Sequence, residues 1–307
     1  MTLKARILSA VCAAPLMAAT AYAAPIDVLW LTGSSTYNNG ISRLAAGGSD
    51  DAATFDPNGD GSNSWTIDFW SSGTPDFGAY DALVIGSTCR PACGGSNGFF
   101  NLGVQPDLVL NNRDAIAAAR GDRTFVSGQD ADWHYLNDSS SIDRADARGF
   151  LVNAVNWAAS GDGLGIVVLA DGFSGSNNGW ISDPLSFLLD EIGAARTNSN
   201  QESVIIPATS ADFPVNEGLT SASLSGWGTS SHTRFEKALL PDGTWAPIND
   251  FGSDGNPFAV TIVTASEADG GTTPVDDDDT PTPVPAPGGL ALFGLAALGL
   301  AVARRRR

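Results

Sequence analysis

The stretch Arg123-Thr124-Phe125-Val126-Ser127-Gly128-Gln129-Asp130-Ala131-Asp132-Trp133-His134-Tyr135 decides how the chain is read. Its first five residues, 123–127, have an apolar centre and stop at Gly128, as a short buried strand does where it delivers the chain into a loop. The densest polar cluster of the sequence follows directly. Outward from this point the strand pattern recurs. Ile26–Leu31, Trp65–Trp70, 81–87 with Ala82-Leu83-Val84-Ile85 at its centre, and 166–170 read as strands, several of them apolar throughout. Between them, 108–120 has helical spacing that ends at Gly121, 143–159 is amphipathic and closes at Gly161, and 184–192 reads as a further helix. Strands alternating with helices, the strands apolar on both faces, predict an α/β fold on a mainly parallel sheet covered on both sides. Beyond residue 200 the expected strands are 203–206, 223–227 and Phe258–Thr264, separated by Gly/Asn/Asp turns. They predict a β-rich C-terminal portion.

The polar cluster is the first candidate site. If the chain stays extended past Ser127, its side chains alternate, and Asp130, Asp132 and His134 project to one side at the carboxyl end of a parallel strand. Open α/β sheets build ligand sites at that edge. Two carboxylates and an imidazole can hold a divalent metal or serve as acid and base. Gln129, Trp133 and Tyr135 are candidate ligand contacts, the two aromatics as faces for a sugar. The alternative is a loop whose aspartates cap the next segment, with His134 bonded locally. The chain has two histidines, His134 and His232, so His232 joins the candidates. A second cluster, Asp56-Pro57-Asn58-Gly59-Asp60-Gly61, fits the first half of a calcium loop with Asp56, Asn58 and Asp60 as ligands. Its twelfth position is Ile67 rather than a bidentate Glu, and a metal-free turn is the alternative.

Composition narrows the partners. With 34 acidic against 16 basic residues the chain carries a net charge of −18, which repels phosphates and disfavours nucleic acid. Six of the cations, Lys4, Arg6 and Arg304 to Arg307, sit in the two end segments. Residues 1–23 combine those first two cations, an apolar run and Ala21-Tyr22-Ala23, the pattern of a signal peptide that signal peptidase removes. Residues 24–268 are expected to form one α/β domain. Residues 269–287, with four aspartates and a Thr/Pro run, form a linker that cannot bury a core. Residues 288–303 are apolar and are expected to cross a membrane, a little short of the ~20 residues that a comfortable crossing takes. The arginine cluster 304–307 would stay on the cytoplasmic side. Of the three cysteines, Cys12 leaves with the signal, and Cys89 and Cys93 in a glycine-rich loop predict a disulfide in an exported protein.

Two resemblances add to this. Val284-Pro285-Ala286-Pro287, the Gly/Leu/Ala-rich helix and the arginines resemble the PEP-CTERM tail of exosortase substrates. The resemblance implies inner-membrane anchoring through the C-terminus, cutting by an exosortase-type sorting enzyme at that proline motif, and delivery to the outer surface or an exopolysaccharide matrix. Pro285-Ala286-Pro287 stands where the family has Pro-Glu-Pro. The segments Val28 to Gly33, Tyr80 to Ile85, Phe125 to Asp130, and Pro214 to Thr220 with Ser231-His232 are similar to the class I glutamine amidotransferase-like superfamily, especially its ThuA-like branch. That similarity implies a flavodoxin-like three-layer sandwich. The amidotransferases carry a cysteine nucleophile on the turn after a central strand; here the turn reads Gly128-Gln129-Asp130, and no mature cysteine is near. Ser127 lacks a Gly-x-Ser-x-Gly elbow. The expectation is therefore a surface or matrix protein with a non-catalytic amidotransferase-like domain that contacts polysaccharide. An exported sugar-acting hydrolase or isomerase using Asp130, Asp132 and His134 is the alternative.

Overall fold

Segments as apolar as Ala82-Leu83-Val84-Ile85 escape water on both faces only inside a sheet, and there the chain places them. The computed structural model describes residues 25–31, 35–45, 65–87, 106–137, 140–169, 180–227 and 231–265, all within a unit that spans Met1–Ala268. Its strands are β1 (Ile26–Leu31), β2 (Trp65–Trp70), β3 (Ala82–Ile85), β4 (Arg120–Ser127), β5 (Leu164–Val168), β6 (Arg196–Gln201), β7 (Val204–Ile205), β8 (Ser231–Glu236), β9 (Trp245–Phe251) and β10 (Phe258–Thr264). They join in the order β2-β1-β3-β5-β4-β10-β8-β6, with β9 pairing β10 and β7. Pairing is parallel from β2 to β4 and antiparallel wherever β6 to β10 take part. The fold is thus a mixed α/β fold. Flavodoxin-like sheets run 2-1-3-4-5; here β5 lies between β3 and β4.

The helices are α1 (Ser35–Ala45), α2 (Pro106–Asn111), α3 (Arg113–Ala119), α4 (Ala131–Asn137) and α5 (Ser141–Ala159). Helix α4 packs between α1 and α5, and α5 lies over β3, β4 and β5. The start of α5 is fixed by Ser140, whose hydroxyl accepts from the Asp143 amide at 3.2 Å, satisfying one of the donors that a helix leaves open.

One junction positions everything that follows. Along the same edge of β10, β4 pairs with Thr261 to Val263, while β8 pairs with Phe258 and Ala259. Strand β8 therefore takes up where β4 leaves off. The Gly128 amide donates to the Val260 carbonyl at 2.8 Å, and the His232 amide donates to the Gly128 carbonyl at 2.9 Å. A Cβ on residue 128 would lie 1.8 Å from the Thr233 carbonyl oxygen, so only glycine lets the two strand ends meet this closely.

Several expectations are corrected. The segment 108–120 is two short helices, α2 and α3, broken at Asn112, and Arg120 already belongs to β4. Residues 184–192 form turns and one π-helical turn instead of an α-helix. Asp183 and Ser186 side chains accept from the amides of Leu185 and Leu188, local bonds that compete with the helical ladder. Residues 223–227 are a turn, in which Ser225 bonds back to the Ser221 carbonyl. A membrane-crossing helix, and with it a membrane partner and inner-membrane anchoring, is also corrected. Among the described residues no helix is long and apolar enough to cross a membrane, and the longest, α5 with 19 residues, carries Asp143, Arg144, Asp146 and Arg148. The apolar run 288–303, the proline motif 284–287 and the signal segment 1–23 lie outside the described residues. So do the calcium candidates Asp56, Asn58 and Asp60, and the pair Cys89 and Cys93; the described residues include no cysteine, and the expected disulfide is not part of the structure they form.

Candidate Asp-His-His site

The chain leaves β4 by a side-chain-driven turn. Ser127 accepts from the Gln129 amide at 3.1 Å and shares a hydrogen bond with the Thr261 hydroxyl at 3.0 Å. Its hydroxyl is spent on turning the chain and tying β4 to β10, which gives it no geometry of a nucleophile. Helix α4 then begins at once, and the His134 amide donates to the Asp130 carbonyl at 3.1 Å as its first bond.

That helix replaces the extended segment expected here and changes which side chains meet. At about 100° per residue, Asp130 and His134 share a helical face while Asp132 points elsewhere. Asp132 accepts from the Ser87 amide at 2.9 Å and is fully buried. The expected Asp/Asp/His set is thus corrected to Asp130, His134 and His232. His134 Nε2 stands 3.2 Å from Asp130 Oδ1, and His232 Nε2 stands 3.3 Å from Asp130 Oδ2. One carboxylate faces two imidazoles, one oxygen each, and all three side chains are buried.

Each histidine is held from behind. His232 Nδ1 lies 3.1 Å from Asn200 Oδ1 on β6, which holds the ring by the nitrogen away from Asp130. His134 lies between two indoles, with Trp133 edge-on at 4.8 Å and Trp227 tilted at 5.3 Å between ring centroids. The Trp227 indole N–H donates to the Ser223 carbonyl at 2.9 Å, and Trp227, Phe150 and Phe125 continue as an aromatic chain toward β4. Burial alone would raise the Asp130 carboxyl. The hydrogen bonds and charges of His134 and His232 outweigh it and hold the group well below the ordinary carboxylate range.

The remaining sequence candidates divide. Gln129 is fully buried, and its amide donates to the Leu224 carbonyl at 2.9 Å, so it fastens the 221–224 turn. Tyr135 is buried and offers no open face to a sugar, whereas Trp133 is half-buried beside His134. Sequence reasoning missed Asn200 and Trp227. Asn200 sits on a polar edge strand with no apolar alternation to betray it; the tryptophan was visible, but in a segment read as a strand. Scanned against protein-family models, curated proteins and solved structures, the chain matches none of them.

Proposed function

We propose that this chain is an enzyme that acts by proton transfer on a polyhydroxylated, sugar-like substrate, with Asp130, His134 and His232 as its reaction centre. The carrying observation is the pair of imidazole Nε2 atoms set on the two oxygens of one buried carboxylate. Both rings are held on one carboxylate, so one is placed to accept a proton while the other supplies one. Isomerisation and hydrolysis both need such an exchange, and a positioned acid or base contributes about 10²–10⁴-fold. The half-buried Trp133 beside His134 suits a sugar face. The acidic surface suits a neutral substrate rather than a phosphorylated one. An amidotransferase-like ancestry fits this reading in one respect: the turn after β4 carries the site, with acid–base groups in place of a thiol.

The test is a screen of the full-length chain against sugars and glycosides, followed by pH–rate profiles. His134→Gln and His232→Gln are expected to lower kcat at least 100-fold, and Asp132→Asn to leave the shape of the profile unchanged. Wild-type turnover in both histidine variants would overturn the proposal. The near-complete burial of the cluster favours a second reading, a non-catalytic domain that contacts polysaccharide through its surface. Saturable glycan binding that survives both histidine substitutions, without turnover, would support it.

A further inference from the structure

We infer that Asp130, His134 and His232 together bind a single divalent transition-metal ion of the zinc or ferrous class. The inference rests on reading this cluster as the reaction centre, and it names the cofactor that such a centre would carry.

Four observations carry it. The first is distance: one carboxylate oxygen and two imidazole nitrogens, one from each residue, lie within 4.8 Å of one another. Metal bonds of about 2.0–2.2 Å place two ligands of one ion roughly 2.8–3.6 Å apart in octahedral or tetrahedral geometry. The separations from Asp130 Oδ1 to His134 at 3.2 Å and from Asp130 Oδ2 to His232 at 3.3 Å each have that length, one through each carboxylate oxygen.

The second is orientation. Asn200 Oδ1 holds His232 by Nδ1, so Nε2 is the nitrogen aimed at Asp130 Oδ2, at 3.3 Å. An outer hydrogen bond is also how metal-ligating histidines are aimed. The third is local spacing. Asp130 and His134 stand i,i+4 across the first turn of α4, the separation at which two helical residues reach one ion. The third ligand arrives from β8, a separate element, so the set closes around a point instead of lining a helix.

The fourth is donor chemistry. Calcium and magnesium take oxygen cages. Two imidazoles and one carboxylate suit zinc or non-haem ferrous ion, and three protein ligands leave at least one position for water, as in catalytic rather than structural sites. A water held there would ionise near pH ~7, supplying a base that the two histidines, once ligated, no longer provide.

The experiment uses the full-length chain, purified without chelator and then stripped with dipicolinate. Zn²⁺ or Co²⁺ alone is added back, and metal content, the visible ligand-field bands of bound Co²⁺ and thermal stability are recorded. The expected result is one equivalent of metal, Co²⁺ bands of a low-symmetry N/O site, and a stabilisation absent with Ca²⁺ or Mg²⁺. His134→Ala and His232→Ala should each weaken Co²⁺ binding at least 100-fold. Asn200→Ala, which leaves all three ligands in place, should weaken it about 10–100-fold, and it guards against misfolding of the ligand variants. Substoichiometric metal with no Co²⁺ bands, or binding that all three substitutions leave intact, would overturn the inference. The two readings fail separately. Activity that depends on both histidines but survives metal removal refutes the metal and keeps the acid–base centre. Tight metal binding without turnover on any substrate refutes the enzyme and keeps the metal.

Discussion

The two halves of the sheet solve burial in opposite ways. In the parallel half, β3 and β5 are apolar and buried at every residue, and β1 is buried from Val28 onward. In the antiparallel half polar side chains are buried in pairs. Asn249 donates to Asn216 at 2.8 Å, Lys237 meets the buried Asp250 at 2.6 Å, and His232 meets Asp130. The first half is held by area removed from water, which is indifferent to direction. The second depends on partners being in register, since an unmatched buried polar group is costly. The candidate site lies where the halves touch, at the end-on meeting of β4 and β8.

The contrast can be broken from either side. Phe125→Ala removes a fully buried ring from β4, packed edge-on against Phe150 at 5.5 Å. A loss of about 3–5 kcal/mol is expected from urea unfolding, and it should lower the midpoint as one cooperative transition. Lys237→Met leaves the Asp250 carboxylate buried without its cation. The ammonium is partly exposed, so the expected loss is smaller, about 2–3 kcal/mol. Lys237→Met with Asp250→Asn should recover much of it, which no change in apolar area would do.

The smallest effect sharpens the comparison at the junction itself. Asp130 has its folded pKa depressed, so it contributes stability above the ordinary carboxylate value near ~3.9 and loses it as pH falls through the lower folded value. Wild type should therefore exceed Asp130→Asn in stability at pH ~6, with the gap narrowing as acid is added. A gap that widens toward low pH would contradict the assigned sign.

What the sequence disclosed follows the same division. Ala82 to Ile85 and, within β5, Ile166 to Val168 were legible because a two-face-buried strand must be apolar throughout; β5 starts two residues before the expected 166. Helix α5 was legible through its 3.6-residue period. Strand β6, Arg-Thr-Asn-Ser-Asn-Gln, was not, because an exposed edge strand can be polar at almost every position. Helix α4 has only seven residues, two turns at most, too few to separate periods of two and 3.6 when five of them are polar or aromatic. That ambiguity put Asp132 in the candidate set. The pairing of His134 with His232, the two histidines of the chain, was suggested by their falling in segments that carry the amidotransferase-like resemblance. Their common partner, Asp130, required the junction at Gly128, a contact between distant segments that no local pattern encodes.

That junction also gives the site a birth order. During synthesis the ribosome delivers Asp130 and His134 early, directly after β4, whose partners β5 and β10 are both made later. The last donor emerges much later, on β8, which pairs with β6 and with β10, the final strand described. A nascent or prematurely ended copy that stops at Trp227 would hold two of the three groups. It could own the parallel strands β1 to β5 and still lack His232, so closing the cluster waits on β8 and its partner β10.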